Sequence, residues 1–366
     1  MMNSGLLVVA SYDGSIQALH AHDGSTCWTH QSAHPFMGRA LARLADSVIA
    51  EAADGYVVAL AIDDGAVRWE TTLPDATLIS EEDNVRVEAS RTQVVVQLGL
   101  QCFCVNAADG RILWRGAPSP ESRGGWWVLA VTEERVYVVA REGPQHYVTV
   151  ALSAWDGTPQ WGTIEQSAGE PPWDTTPPLV EAEADGVVYT YGLGLHAIEA
   201  ATGRLLWSQA EIPYFRVGSL AIWRDEVIVQ ADRLLGAYRR DTGVPVWLET
   251  FPRPDDYFEG FAGVQVVGER IYSGHASPTL GGYRVEARAG ATGVVQWIWP
   301  PQTENDPERY MRFEQSWRFR GEGNTLYIPS LGDVWAIDAR NGTQRWHRAI
   351  DPAEPKAFLA IDPAND

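Results

Sequence analysis

The sequence predicts an all-β fold, an eight-bladed β-propeller with four antiparallel strands per blade. Three observations carry that prediction. First, a Gly-x-x-x-Trp signature recurs at Gly24/Trp28, Gly65/Trp69, Gly110/Trp114, Gly157/Trp161, Gly203/Trp207, Gly243/Trp247, Gly293/Trp297 and Gly342/Trp346, with Asp, Thr or Asn before each Gly. Second, the Trp-to-Trp steps are 41, 45, 47, 46, 40, 50 and 49 residues, so eight units consume residues 1–366 as one propeller. Third, the segments between are short runs of Val, Ala, Ile and Leu broken by Asp-Gly and Thr-Gly pairs, which supply positive φ for tight turns. No window sustains a helical stripe.

The second unit displays the elements in order. Arg39–Leu44 reads as the first strand and Ser47–Ala52 as the second, closed by the Asp54-Gly55 turn. Tyr56–Ile62 is the third, and Ala66–Thr72, carrying Trp69, is the fourth. The repeat tryptophan sits at a fixed offset from its glycine on the outer strand, where a flat indole wedges against the neighbouring blade; such a residue buries on the order of 200 Å². The first unit supplies only Leu6–Ala10, Ile16–His20 and Ser25–His30. The strand it lacks is expected from the C-terminal segment at about 357–362, which closes the ring and removes exposed edges.

Composition bounds the partners. A formal charge of −20 and one lysine, Lys356, exclude a nucleic-acid scaffold that works by counterion release, and exclude phosphate-loop chemistry. No 18-residue apolar run is present, so no membrane-spanning helix is expected. Absence of a signal segment and a sparse, odd set of cysteines (Cys27, Cys102, Cys104) lead us to expect a cytoplasmic, reducing location, and the arginine bias a bacterial source. Cys102 and Cys104 fall on one face of a strand, as two buried small hydrophobes. His20 and His22 also share a face; with His30 or His34 they could ligate zinc, and a surface pair is the preferred reading, so no metal is expected.

The segments Trp335-Ala336-Ile337-Asp338-Ala339-Arg340-Asn341-Gly342 to Trp346 and His196-Ala197-Ile198-Glu199-Ala200-Ala201-Thr202-Gly203 to Trp207 resemble the pyrroloquinoline-quinone-type propeller repeat. The resemblance runs the length of the chain and implies the eight-bladed fold. Its dehydrogenase branch implies adjacent cysteines over a quinone. Here the pair is split by Phe103 and no insertions lengthen the blades, so neither a quinone nor any other cofactor is expected.

Function is expected in the connections from each outer strand to the next inner strand, which are long and unlike one another. They collect aromatics and arginines around the channel mouth: Arg39, Arg86, Trp126, Trp127, Trp173, Phe215, Arg216, Tyr257, Phe258 and Arg312 are the candidate ligand-binding residues. Phe36 falls in the first such connection. The preferred expectation is a non-catalytic recognition scaffold that binds a protein or small molecule at that face, with the short Asp-Gly and Thr-Gly turns on the opposite one. The alternative is an enzyme of lyase, hydrolase or cyclase type in the funnel, with Asp256 or Glu259 as base and Tyr257 as acid. A quinone-dependent dehydrogenase is the third reading and the least supported.

Overall fold

A computed structural model describes residues 5–44, 46–75, 85–99, 101–116, 126–141, 146–166, 179–191, 194–209, 219–231, 234–250, 263–277, 282–300, 319–330, 333–350 and 355–361. These residues form 32 strands, numbered β1 to β32 in chain order, and no helix. They group into eight four-stranded antiparallel blades. Blade 2 is typical: β4 (Phe36–Leu44), β5 (Ser47–Ala52), β6 (Tyr56–Ala61) and β7 (Val67–Thr72) run from the axis outward. Blade 1 is completed as the sequence requires. β32 (Pro355–Ile361) pairs antiparallel with β1 (Leu6–Ser11), from Leu6↔Ile361 to Ser11↔Pro355, so the two ends of the chain share one sheet.

The core lies in the seams between blades, filled by apolar clusters, one of which spans both seams of blade 2. Leu7, Val9 and Leu19 of blade 1 pack with Tyr327, Val334, Ala336 and Trp346 of blade 8, for example. The repeat signature builds these seams. Each indole lies over the signature glycine of the next blade: Trp28 on Gly65, Trp69 on Gly110, and so around the ring to Trp346 on Gly24. At Gly110 two requirements coincide. Its φ is +69°, and a Cβ would stand 2.4 Å from the Trp69 ring. Seven of the eight indoles donate Nε1–H to a carbonyl of that same turn, as Trp69 does to Ala107 O (2.8 Å) and Trp346 to Ala21 O (3.0 Å). The residue before the glycine also has a task. Asp23, Asp64 and Asp109 accept the backbone N–H two residues on at 2.9 to 3.0 Å, and Asn341 does so for Thr343, closing an Asx turn.

Two expectations change. The turns between the second and third strands of a blade share the long-loop face instead of lying opposite it: Ala53 N donates to Pro35 O, and Ser32 N to Gly14 O. The signature turns lie on the other face, together with the turns between the first and second strands, as Ile62 N donates to Asp46 O. Phe36 is no loop aromatic; it begins β4 and is fully buried among Ala42, Val48 and Ala50.

Candidate functional site

The innermost strands touch in ring order around the axis: β32, β4, β8 (Val85–Ala89), β12 (Trp126–Val131), β16 (Leu179–Ala184), β20 (Ser219–Trp223), β24 (Val264–Val267) and β28 (Arg320–Glu322). Each starts at the long-loop face, so its first residues stand at the channel mouth. Four candidate residues fall there. Arg39 lies in an irregular stretch of β4, between Phe36 and Leu41 of the register, and is the Cα partner of Arg86 on β8. That single parallel pair joins blades 2 and 3 into one sheet. Trp126 and Trp127 open β12, pairing with Ala140 and Val139. Trp127 therefore holds the register position in blade 4 that Arg86 holds in blade 3, where Arg86 pairs with Gln97. Trp173, Phe215, Arg216, Tyr257, Phe258 and Arg312 lie outside the described residues, as do the enzyme candidates Asp256 and Glu259.

The structure adds residues that the pattern did not single out. Arg86 donates from Nε to Glu88 Oε1 at 2.8 Å. Arg320, on β28, lies within electrostatic reach of both, and its burial lowers its pKa. On the long-loop face beside the first connection, His34 bonds Asp54 at 2.5 Å and stacks on Tyr56, ring centroids 4.1 Å apart. Tyr56 donates to Glu70 at 2.8 Å, and burial with that partner pushes its phenol up to about 12. In blade 8, His347 bonds Asp333 at 3.1 Å and stacks on Trp335 at 3.8 Å, with Trp299 of blade 7 against the same indole. A signal for these groups existed: His34 precedes an inner strand by two residues, Asp54 sits in the turn after a second strand, and Asp333 opens the third strand of its blade.

Other described titratable groups lie away from the channel mouth. Cys102 and Cys104 are fully buried on the third strand of blade 3, in the seam against Trp114, Val128 and Leu152. Burial pushes both thiols up, Cys104 to about 12. Neither lies on an innermost strand, so the pair does not fit a cover over a group in the channel. His20, half-buried, and His22, exposed, form a tilted pair with rings 5.7 Å apart, His22 beside Asp23. Among the described residues no group of three or more His, Cys, Asp or Glu is placed to hold a metal ion, and no helix is long and apolar enough to cross a membrane. In blade 7 the buried Arg288 bridges Glu286 and, across the seam, Glu249 of blade 6.

Eight four-stranded blades, sealed by indole-on-glycine seams and closed by the chain ends, define a propeller of pyrroloquinoline-quinone-like repeats. The chain belongs to the family described as outer membrane protein assembly factor BamB, whose profile matches residues 1–97, 84–210 and 195–358. Among solved structures it is similar to BamB from Moraxella catarrhalis, with TM-score 0.62 and 20% identity over 88% of this chain and 90% of that one. It is also similar to dihydro-heme d1 dehydrogenase NirN in complex with DHE, at TM-score 0.67 and 13% identity over 97% and 75% of the two chains. The computationally designed Ika8 protein aligns at TM-score 0.64 and 15% identity over 89% and 91%. At these identities the likeness is one of fold. No curated protein matches the sequence.

Proposed function

We propose that the chain is a non-catalytic recognition scaffold that holds a protein partner on its long-loop face. The observation that carries this reading is the layout of the described groups there. The His34/Asp54/Tyr56 and His347/Asp333/Trp335 clusters are spread over separate blades and half-open, their His and Asp side chains 31% to 36% exposed. Open aromatic and charged groups on rigid turns suit a docking face, whereas catalysis needs convergent groups in an enclosed pocket. The described carboxyl that burial pushes well above its ordinary range, Glu51, is fully enclosed and cannot meet a substrate. The family's description as an assembly factor is a protein-handling role and supports the same reading. The reading includes a reducing compartment, supported by three free thiols, one of them exposed.

The test is capture and cross-linking of partners by the immobilised chain. Wild type should retain a discrete partner. His34→Ser, and separately His347→Ser, should weaken capture while melting temperature holds. Val294→Ser, in the signature turn just before the outer strand of blade 7, should leave capture unchanged. Capture that survives both long-loop-face variants and is lost with Val294→Ser would overturn the reading.

A further inference from the structure

The rim of blade 6 departs from the pattern of the other blades. Gly243 of its signature is followed by Val244-Pro245-Val246-Trp247-Leu248, five apolar residues in a row. In each of the other seven blades the same five positions hold at least one polar or charged side chain, as Ala66-Val67-Arg68-Trp69-Glu70 does in blade 2 and Thr343-Gln344-Arg345-Trp346-His347 in blade 8. Trp247 turns into the seam, over Gly293 of blade 7. Its neighbours have no such cover: Val244, Val246 and Leu248 are 53%, 42% and 51% exposed.

The strand that carries them is an edge. Blade 6 runs in the order β20, β21 (Glu226–Ala231), β22 (Leu234–Arg239), β23 (Pro245–Thr250), so one side of β23 pairs with β22 and no described strand pairs with the other. That side offers a row of backbone N–H and C=O groups to an incoming strand. Charged side chains normally blunt such an edge, as Arg68 and Glu70 do on β7; here no charge stands between Asp241 and Glu249. Pro245, which has no N–H to give, is the first residue of the strand and leaves 246–250 able to pair. Charge selects the occupant. Residues 234–250 hold Arg239, Arg240, Asp241 and Glu249, two of each sign, so this hairpin is neutral within a chain of formal charge −20. The outer strands on either side, β19 (Leu205–Gln209) and β27 (Val295–Trp299), have no charged residue. A basic partner would find no acidic sector here, whereas a second copy of the chain meets a neutral edge with a neutral edge.

We propose that two copies of the chain join edge to edge through β23, antiparallel about a two-fold axis, so that the two copies of blade 6 form one continuous sheet. The contact is isologous: the same surface serves both copies and assembly closes at two. Antiparallel pairing lays Val246 and Leu248 of one strand beside those of the other on one face of the joint sheet. It also brings the Arg239 end of each hairpin level with Glu249 of the second copy, so opposite charges meet twice; a parallel pairing would set Glu249 beside its own copy. Arg239 has room to respond, since its side chain is half exposed and its acid neighbour Asp241 stands 3.9 Å away. The rim lies apart from the long-loop face, so self-pairing and partner docking stand or fall separately.

Sedimentation equilibrium over a range of protein concentrations tests the assignment. Wild type should fit a monomer–dimer equilibrium, and added sodium chloride, which screens the like net charges of two chains, should tighten it. Val246→Arg should raise the dissociation constant at least tenfold, because the two-fold axis then sets two new arginines at one joint. Val67→Arg, on the outer strand of blade 2 and comparably exposed, should leave it unchanged. Melting temperatures of both variants report whether the ring is intact, and Leu248→Glu replaces Val246→Arg should that variant fold poorly. Hydrogen exchange of the amides of 246–250 should slow as wild-type concentration rises, and should not respond to concentration in Val246→Arg. A chain that stays monomeric at every concentration and salt would overturn the proposal and leave the edge to a strand of another protein. A dimer that Val246→Arg and Leu248→Glu leave intact, or assembly that continues past two, would overturn it equally.

Discussion

Glu51→Gln tests the energetics of a blade seam at one side chain. Glu51 is 0% exposed, and neither carboxyl oxygen has a hydrogen-bond partner among the described residues. Burial pushes its carboxyl well above the ordinary 4.5. Counting along the second strand from the residue level with the repeat indole, Glu51, Gln97 and Gln230 hold the same register position in blades 2, 3 and 6. Both glutamines bridge to the next blade: Gln97 Oε1 accepts from Val128 N at 2.7 Å, and Gln230 Nε2 donates to Gly274 O at 2.6 Å. The fold therefore already places an amide at this position twice, and the substitution preserves volume.

The sign of the effect follows from linkage. The folded carboxyl holds a proton that the unfolded chain releases above pH 4.5, so wild type loses stability as pH rises from there until the buried carboxyl itself ionises. The loss is about 1.4 kcal/mol per pH unit. Glutamine does not titrate, and a regained bridge adds about 1 kcal/mol at all pH values. At about 2.1 cal/mol/K per residue over 366 residues, 1.4 kcal/mol corresponds to about 1.8 °C. Melting curves of the two proteins from pH 5 upward should show Glu51→Gln the more stable, with a gap that widens by about 1.8 °C per pH unit. Parallel curves, or a gap that narrows with rising pH, would refute the reasoning.

Two further predictions concern the seams. Gly110 and Gly186 have φ of +69° and +75°, but a Cβ at 110 meets Trp69 whereas at 186 nothing lies within 4 Å. Alanine at either position should cost about 1–2 kcal/mol in backbone strain. Gly110→Ala should cost about 1–3 kcal/mol more through displacement of the indole, read as the difference between the two melting shifts; equal shifts would mean the indole yields freely. In blade 7, Tyr272 donates to Ala339 O at 2.7 Å, and Trp297 is the repeat indole whose Nε1 has no partner among the described residues. Tyr272→Phe should free that carbonyl for Trp297 and leave stability within about 0.5 kcal/mol, with a downfield shift of the Trp297 indole proton in NMR; a loss of about 2 kcal/mol without that shift would show that the carbonyl stays unclaimed.

The repeat core was legible because the seam imposes one geometry eight times. A glycine that must adopt positive φ and also accept an indole leaves no alternative residue, so the signature survives at every turn and the blade count follows. Strand limits followed as well: Ser47–Ala52 was read as it stands, and Tyr56–Ile62 ends one residue early, at Ala61. The missing first strand was legible from topology, since a ring with one incomplete blade has one place for a final strand. Phe36 was misread because its apolar character was taken for loop content, when the connection from blade 1 to blade 2 spans only residues 32–35 between strands. Glu51 was invisible for a different reason. A lone acid in Ser-Val-Ile-Ala-Glu-Ala reads as the exposed face of a half-buried strand, yet all six residues of β5 are buried because both faces of a blade meet neighbours.

The axis is the opposite case from the seams. Eight inner strands converge there, and charges from blades far apart in sequence come within electrostatic reach, as Arg320 does of Arg86 and Glu88. No spacing rule connects positions 320 and 86. The sequence does carry the components: arginines recur near inner-strand starts, and Arg39 and Arg86 prove to be register partners. What it lacks is the closure that makes blade 8 face blade 3. Chemistry at the axis therefore resides in departures from the repeat, where one blade carries Arg86 and its neighbour Trp127 at the same level. A repeat average erases such departures, and only the ring assembles them into a site.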